Sequence, residues 1–142
     1  MIKYVAKPDG ITPEQLEGFF VGWPSPPDNK THLEILKAAD HIVLAIDSET
    51  NQVVGFINAI SDGVHAAYIP LLEVLPDYKK QGIGAELVKR ILAEIGELYM
   101  IDLICDVDVQ PFYEKLGMTK ATGMRIRNFD KQSGKPKTSE TN

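Results

Sequence analysis

One stretch of the 142-residue sequence, residues 72–84, constrains the fold more than any other part of it. It reads LEVLPDYKKQGIG, so an apolar run leads through a proline and two lysines to two glycines, and an amphipathic segment follows at once. The pattern predicts a strand, a short basic turn and a helix that begins at the glycines. Free backbone N–H groups at a helix N-terminus bind anions, and glycines let a bulky phosphate approach them closely. The stretch therefore predicts a site for a phosphate or pyrophosphate.

Two familiar phosphate-binding loops do not match this stretch. A P-loop requires Lys and then Ser or Thr after its last glycine, but Ala85 and Glu86 follow Gly84. A dinucleotide-binding fingerprint requires a third small residue three positions after its second glycine, where Leu87 stands. From the residues alone, the stretch is either a different phosphate cradle or an ordinary strand, turn and helix with a glycine-rich turn.

The length and composition predict one soluble globular domain, since 44% of the residues are hydrophobic and 25% are charged. The net charge of −5 argues against broad nucleic-acid binding. Apolar runs are too short to span a bilayer and no signal peptide is visible, so we expect no membrane association. A single cysteine cannot form an internal disulfide, which favours a cytoplasmic location. The three histidines are not at metal-ligand spacing, so we expect no metal.

The hydrophobic periodicity and the turn residues predict short strands and helices within residues 1–129. The predicted strands are residues 2–6, 42–46, 52–60, 66–75, 100–105 and 121–129, and the predicted helices are residues 12–22, 29–39, 83–98 and 111–116. The element order is therefore β-α-α-β-β-β-α-β-α-β. Residues 130–142 carry no core residue, and we expect them to form a disordered tail.

The stretch at residues 72–84 resembles the acetyl-CoA pyrophosphate loop of the GNAT superfamily of N-acetyltransferases. That pattern is an apolar strand ending in Val-x-Pro, then Arg/Gln-x-x-Gly-x-Gly/Ala, then a helix. Val74-Leu75-Pro76 and Gly82-Ile83-Gly84 match it, and Lys79 stands where the family usually has Arg or Gln. The predicted element order is also similar to that of the family over residues 2–129. The resemblance implies an α/β (α+β) fold, with a mixed, twisted central sheet of six to seven strands flanked by helices.

The resemblance also implies acetyl-CoA as the co-substrate. Lys79 keeps a hydrogen-bond donor at its position but lacks the forked geometry of arginine. The residues expected to bind acetyl-CoA are Val74, Leu75, Lys79, Lys80, Gln81, Gly82, Ile83, Gly84, Ala85 and Asp106.

A second motif, DVDVQPFYEKLGM at residues 106–118, resembles the closing segment of the family. In the family an Asn leads into a short helix and the sequence Phe-Tyr-Glu-Lys-Leu-Gly-Phe. Here Asp106 takes the position of the Asn and Met118 that of the last Phe. Asp keeps the acceptors but loses the amide donors. Tyr113 matches the family's common general acid; the alternative is that it only packs on the sheet.

The chemistry implied by the resemblance is attack of a neutral amine on the thioester carbonyl. A backbone N–H near Val74 or Leu75 stabilises the oxyanion, and the phenol of Tyr113 donates a proton to the leaving thiolate. Glu73 is the only charged residue in 69–75 and is the first candidate for the general base; the alternative is that it faces solvent or pairs with a lysine. Asp106 is a second candidate base. Cys105 is expected to be a small core residue and not a nucleophile.

The loop after the first predicted helix carries aromatic residues and prolines, and in the superfamily this region borders the acceptor pocket. Phe19 and Trp23 are therefore the expected substrate-binding residues; the alternative is that the phenylalanines are core and Trp23 is a packing lid. The region has few acids, which favours a small amine with an apolar body over a protein lysine or an aminoglycoside. The rival function is a CoA-binding, ligand-sensing module without turnover. The sequence leaves open whether the chain forms a homodimer.

Overall fold

The computed structural model describes residues 1–135, which form a mixed sheet with helices on both faces. The strands of the described residues are β1 (Ile2–Val5), β2 (His41–Asp47), β3 (Gln52–Ser61), β4 (Ala66–Tyr68), β5 (Leu72–Val74) and β6 (Met100–Asp102). The helices are α1 (Asn29–Ala38), α2 (Ile83–Ile95) and the short α3 (Gln110–Glu114). This is the predicted α+β class, with six strands in the described part of the chain.

The sheet has the order β1-β2-β3-β4-β6, and β5 pairs with β3 outside this path. All neighbours are antiparallel except β4 and β6, which are parallel. A parallel pair needs a long crossover, and α2 lies between these two strands in the chain and supplies it. The predicted mixed sheet is confirmed.

The long strand β3 pairs with β5 along one part of its length and with β4 along the next. Gly55 and Ile57 of β3 are opposite β5, while Ile60 and Ser61 are opposite β4. The single strand predicted at 66–75 was wrong, because it is interrupted at Pro70 between β4 and β5. Proline has no N–H for a ladder hydrogen bond and is found where pairing ends. Strand β6 pairs with β4 and not with β5. The side of β5 that faces away from β3 therefore has no paired strand among the described residues.

Two hydrophobic cores lie on opposite faces of the sheet. Alternate residues of β2 and β3 point to opposite faces, so that Val43 and Ile57 join α2 in one core while Leu44 and Phe56 join α1 in the other. The helix α2 comes very close to the sheet at Gly55. A Cβ at that position would lie 3.1 Å from the Cδ1 of Leu87 and 3.2 Å from the Cγ2 of Ile83.

The first predicted helix, residues 12–22, is reduced to a 3-10 turn at Pro13–Leu16. The predicted start signal is present, because the Thr12 N–H donates to the Oε1 of Gln15 at 2.9 Å. The helix does not continue, since Phe20 has a positive φ of 63° and its N–H donates to the Glu73 carboxylate instead of a helical carbonyl. A long-range hydrogen bond thus overrides the local helical pattern.

Other boundaries also differ from those predicted. Helix α2 ends at Ile95 and not at 98, because Gly96 follows with a φ of 82°. Strand β6 ends at Asp102, three residues before the predicted end. The strand predicted at 121–129 was wrong as an element of this sheet, because residues 119–128 form neither strand nor helix.

The segment predicted to be a disordered tail begins within a turn. Phe129–Lys131 forms a 3-10 turn, and the Oε1 of Gln132 accepts a hydrogen bond of 2.8 Å from the Ser25 N–H. The rest of the predicted tail, residues 136–142, lies outside the described residues. Within the described chain, none of the helices has the length and apolar character needed to cross a membrane.

Candidate active site

The free side of β5 presents an unused backbone donor. The Leu75 N–H donates to the Val54 carbonyl at 2.8 Å, and the Leu71 carbonyl accepts from the Asn58 N–H at 3.2 Å, so these odd-numbered residues face β3. Alternation along a strand therefore turns the N–H groups of Leu72 and Val74 to the opposite side. No described strand lies on that side to accept them, since β5 pairs with β3 alone among the strands of residues 1–135. Of the two residues expected to supply the oxyanion donor, the geometry favours Val74 and removes Leu75.

The predicted phosphate cradle lies just beyond β5. Gly82 has a φ of 80° and occupies the N-cap of α2, where it leaves no side chain to cap the helix. Its carbonyl accepts from the Glu86 N–H at 3.1 Å, while the N–H groups of 83–85 have no acceptor among residues 1–135. The space above Gly82 is open, since a Cβ built there meets nothing within 4 Å. Free N–H groups at an open helix N-terminus are suited to binding an anion.

Lys79, Lys80 and Gln81 form the exposed turn that enters this cradle. Lys80 has a positive φ of 65°, which turns the chain sharply toward the helix. The turn is attached to the far end of β2, because the Tyr78 hydroxyl donates to the Asp47 Oδ2 at 2.7 Å. The two lysines thus carry positive charge beside the free N–H groups.

The second motif, residues 106–118, packs against the N-terminus of α2 at Gly84. A Cβ on Gly84 would lie 3.5 Å from the Phe112 ring and 3.9 Å from the Cγ2 of Val74, so α2, α3 and β5 meet there. Tyr113 follows Phe112 and is 9% exposed. Burial, with a smaller effect from Cys105, raises the pKa of Tyr113 to about 12. Among the described residues, none is hydrogen-bonded to this hydroxyl, and the hydroxyl is not one of the fully buried polar atoms that lack a partner. Tyr113 therefore stays protonated at neutral pH, on the helix that meets α2 and β5 at Gly84.

Cys105 and Asp106 lie on the chain that leaves β6. Burial and the two carboxylates of Asp106 and Asp108 raise the pKa of the half-buried Cys105 thiol, so it stays protonated at neutral pH. This agrees with its expected role as a packing residue. The Asp106 side chain is exposed and makes no side-chain hydrogen bond at the start of the Val107–Val109 turn.

Glu73, the first candidate base, has a structural partner. Its Oε1 accepts from the Phe20 N–H at 2.8 Å and its Oε2 accepts from the Val21 N–H at 3.2 Å. The carboxylate therefore attaches the loop of residues 17–23 to β5 and stabilises the left-handed conformation of Phe20. Neither alternative raised by the sequence, solvent exposure or a lysine partner, describes this arrangement.

Phe19 and Trp23, the two residues predicted to bind the acceptor amine, belong to one aromatic cluster on the α1 side of the sheet. The Phe19 ring packs edge-on to Phe56 at 5.1 Å and to His32 at 5.4 Å. Trp23 is 37% exposed and packs against Phe20 at 4.8 Å. Phe19 is half-buried between the two cores, so of these two residues Trp23 presents the more open aromatic surface.

Asp62, which precedes β4, is engaged in a turn. Hydrogen bonds from the N–H groups of His65, Val64 and Ala66 lower its pKa to about 2. Among residues 1–135 no cluster of three or more His, Cys, Asp or Glu side chains is arranged to hold a metal ion.

With this geometry in place, comparison with known proteins identifies the family. The sequence profile described as Acetyltransferase (GNAT) family matches residues 9–118. The chain belongs to the GNAT acetyltransferase family. The resemblance on the two motifs is thus confirmed, and it supports acyl transfer as the general reaction.

Solved GNAT-like structures show the same fold. A crystal structure from Deinococcus radiodurans R1, of a protein named as an acetyltransferase with no substrate given, is 50% identical and superposes with a TM-score of 0.93 over 95% of this chain and 94% of its own. A GNAT family acetyltransferase from Streptococcus pneumoniae TIGR4 is 30% identical, with a TM-score of 0.72 over 90% of this chain and 98% of its own.

A curated relative is longer than this chain. The uncharacterized N-acetyltransferase ycf52 of the red alga Pyropia yezoensis is 30% identical over 103 residues, which cover 70% of this chain. The matched part of this GNAT chain spans 59% of that relative's length.

Two residues of this GNAT domain that shape the site were not found by sequence reasoning. Gly55 permits the close approach of α2, and His32 is buried at 1% exposure against Phe19, Phe20 and Phe56. A glycine in the middle of an apolar strand is a signal for close backbone approach. His32 carried no such signal, because its environment is built by residues distant in the chain.

Proposed function

We propose that this GNAT chain is an acetyl-CoA-dependent N-acetyltransferase that transfers an acetyl group directly to the amine of a small molecule. One observation carries the proposal: the open side of β5, the free N-terminus of α2 and the short helix α3, which bears Tyr113, meet at Gly84. Acyl transfer from a nucleotide thioester needs three groups close together. These are an anion site for the phosphates, a hydrogen-bond donor to the thioester carbonyl oxygen, and a proton donor for the leaving sulfur.

Each of these groups has a role in the proposed reaction. The backbone N–H groups of 82–85, with Lys79 and Lys80 beside them, bind the pyrophosphate of acetyl-CoA. The Val74 N–H donates to the thioester carbonyl oxygen, where negative charge develops when the amine nitrogen attacks the carbon. The C–S bond then breaks, and Tyr113 donates its proton to the departing sulfur. The raised pKa of Tyr113, about 12, keeps that proton in place at neutral pH.

The proposed acceptor is a small amine with an apolar body. The loop of residues 17–23 lies against β5 through Glu73 and carries the partly exposed Trp23. The face of an indole ring accommodates both an apolar group and a cationic amine. Because both oxygens of Glu73 already accept N–H groups, we assign Glu73 to holding this loop, and the proton of the acceptor amine leaves to solvent.

The test measures acetyl-CoA binding by calorimetry and then CoA release with a panel of arylalkyl amines, polyamines, aminoglycosides and lysine peptides. We expect binding and turnover with arylalkyl or other small apolar amines. Binding with no release of CoA on any amine supports the alternative of a ligand-sensing module. No acetyl-CoA binding overturns the assignment, and turnover of polycationic acceptors alone overturns the acceptor class.

A further inference from the structure

Residues 76–81, which we call the basic turn, are attached to a distant part of the sheet by a side-chain contact. The Tyr78 hydroxyl donates to the Oδ2 of Asp47 at 2.7 Å, across 31 residues of the chain. The N–H groups of Tyr78 and Lys79, by contrast, donate to the nearby carbonyls of residues 75 and 76, at 2.9 and 3.4 Å. The contact with Asp47 therefore fixes the basic turn relative to the sheet.

Asp47 is a rigid point of attachment for this turn. It is the last residue of β2 and lies opposite Ile2 of β1 and Gln52 of β3, so the sheet holds its backbone on both sides. Its Oδ1 accepts from the Glu49 N–H at 3.0 Å, while its Oδ2 accepts from Tyr78. A donor on each oxygen fixes the orientation of the carboxylate.

The hydrogen bond between Tyr78 and Asp47 is charge-assisted. It is the main cause of the lowered pKa of Asp47 and of the raised pKa of Tyr78, so a carboxylate faces a neutral phenol at neutral pH. Both residues are half-buried. Hydrogen bonds to an ionised group are shorter and stronger than those between neutral groups. The contact is therefore suited to holding a turn in one conformation.

The backbone of Lys80 shows that the basic turn is constrained. Its φ of 65° lies in the left-handed region, which a lysine rarely adopts. Such a conformation persists where the surrounding structure fixes the chain. Tyr78 is fixed two residues before Lys80, and Gly82 caps α2 two residues after it. The contact at Tyr78 thus helps to set the path of the chain into the anion site.

We propose that Asp47 is a positioning residue for acetyl-CoA, which acts through Tyr78 on the basic turn. The inference rests on the proposed function for the identity of the ligand. The contact keeps Lys79 and Lys80 beside the free N–H groups of 83–85 before the pyrophosphate arrives, so that binding does not have to order the turn. A site that is ordered in a fraction of the molecules binds its ligand more weakly in proportion to that fraction.

The first test is calorimetry of acetyl-CoA binding to the full chain. Tyr78→Phe removes the hydroxyl and keeps the ring, and Asp47→Asn leaves one amide oxygen for two donors. We expect each variant to bind acetyl-CoA about tenfold more weakly than the unaltered chain, as when the turn is ordered in about a tenth of the molecules. Glu49→Gln removes a charge from the same hairpin turn but leaves the Tyr78 contact in place. It is the matched control and is expected to bind as the unaltered chain does.

The outcomes separate this inference from the proposed function. Equal affinities in the unaltered chain and in the folded Tyr78→Phe and Asp47→Asn proteins overturn the positioning role alone. An equal loss in Glu49→Gln also overturns it, because charge and not the contact would then be the cause. An unaltered chain that binds no acetyl-CoA overturns the proposed function and this inference with it.

The double variant Asp47→Asn/Tyr78→Phe tests whether the two residues act through one contact. Phenylalanine has no hydroxyl, so in its presence Asp47→Asn has no contact with the basic turn left to weaken. We therefore expect the double variant to bind acetyl-CoA as well as Tyr78→Phe does. A loss of about a hundredfold, which is the product of two independent tenfold losses, overturns the proposal.

Steady-state kinetics distinguishes positioning from a part in the chemical step. The acceptor is the amine of the panel that the unaltered chain turns over fastest. We expect Tyr78→Phe to raise the KM for acetyl-CoA about tenfold and to leave kcat at saturating acetyl-CoA unchanged. A lowered kcat with an unchanged KM would mean that the contact acts on the reaction and not on binding, and it overturns the proposal.

Discussion

At the scale of single residues, Tyr113 combines burial with a hydroxyl that has no partner among residues 1–135. Removal of that hydroxyl therefore costs little packing and no hydrogen bond within the described chain. We expect Tyr113→Phe to lower kcat by about 10² to 10⁴, the usual contribution of a general acid, with acetyl-CoA affinity nearly unchanged. Single-turnover kinetics measures the chemical step directly. Wild-type single-turnover rates would assign Tyr113 to packing alone.

His32 is expected to make stability depend on pH. Burial lowers its pKa from 6.5 to about 4, and no described residue bonds its Nε2. The unfolded chain therefore takes up the proton first as the pH falls. The stabilisation is fully present above pH 6.5 and is lost as the pH decreases toward 4. Between pH 7 and pH 5 we expect this group to account for a loss of about 2 kcal/mol in the free energy of unfolding.

Urea denaturation at the two pH values measures this loss. His32→Leu is expected to reduce the pH dependence, whereas His65→Gln, at an exposed turn, is expected to leave it unchanged. An equal pH dependence in the His32→Leu protein would show that other groups cause it.

At the scale of secondary-structure elements, the N-terminus of α2 can be tested with two variants of one position. Gly84→Ala adds a Cβ that meets only ordinary contacts with Phe112 and Val74. Gly84→Asp adds the same Cβ and a negative charge in the first turn of a helix, where it favours the fold but repels a pyrophosphate. We expect the Asp variant to bind acetyl-CoA about 100-fold more weakly than the Ala variant, a difference of about 2.7 kcal/mol.

Calorimetry gives the affinities and thermal unfolding gives the stabilities of the two variants. The expected combination is weaker binding with an unchanged or higher Tm. Equal affinity in two folded variants would place the pyrophosphate elsewhere.

The connection between β5 and the loop of residues 17–23 depends on Glu73. Glu73→Ala leaves the N–H groups of Phe20 and Val21 without their acceptor, and we expect a loss of about 2–3 kcal/mol in the free energy of unfolding. Glu73→Gln retains one acceptor and is expected to lose less. Glu94→Ala, on the exposed face of α2, is the control and is expected to change stability by no more than about 0.5 kcal/mol.

The same variants distinguish the two roles of Glu73. For a loop anchor we expect the acceptor KM to rise with the loss of stability, more in Glu73→Ala than in Glu73→Gln. If Glu73→Gln instead abolishes turnover, with normal stability and an altered pH profile, Glu73 is the general base.

At the scale of the whole molecule, the position of α2 on the sheet depends on Gly55. A Cβ there would lie 3.1 Å from the Cδ1 of Leu87 and 3.2 Å from the Cγ2 of Ile83, so these side chains, or the helix that carries them, must shift. We expect Gly55→Ala to destabilise the fold by about 1–3 kcal/mol and to weaken acetyl-CoA binding, because α2 carries the anion site. Gly123→Ala, whose Cβ meets Ile104 at an ordinary 3.7 Å, is the control for chemical denaturation. An unchanged midpoint for Gly55→Ala would mean that the helix has room to adjust.

What the sequence determined by itself is local. The strand, basic turn and glycines of residues 72–84, and the motif at 106–118, predicted the anion site, Tyr113 and the family, because each signal lies within a few turns of chain. Helix α1 and the hairpin of β2 and β3 followed equally well from periodicity and turn residues.

What only the tertiary structure decided depends on partners far apart in the chain. Glu73 finds its hydrogen bonds 52 and 53 residues away, and these prevent the first predicted helix from continuing. The choice of Val74 over Leu75 depends on which side of β5 meets β3. Residues 119–128 have the pattern of a strand but pair with no described strand, and a strand forms only where its hydrogen bonds are met. Local pattern predicts which residues favour a strand or a helix, and long-range pairing decides which of them form one.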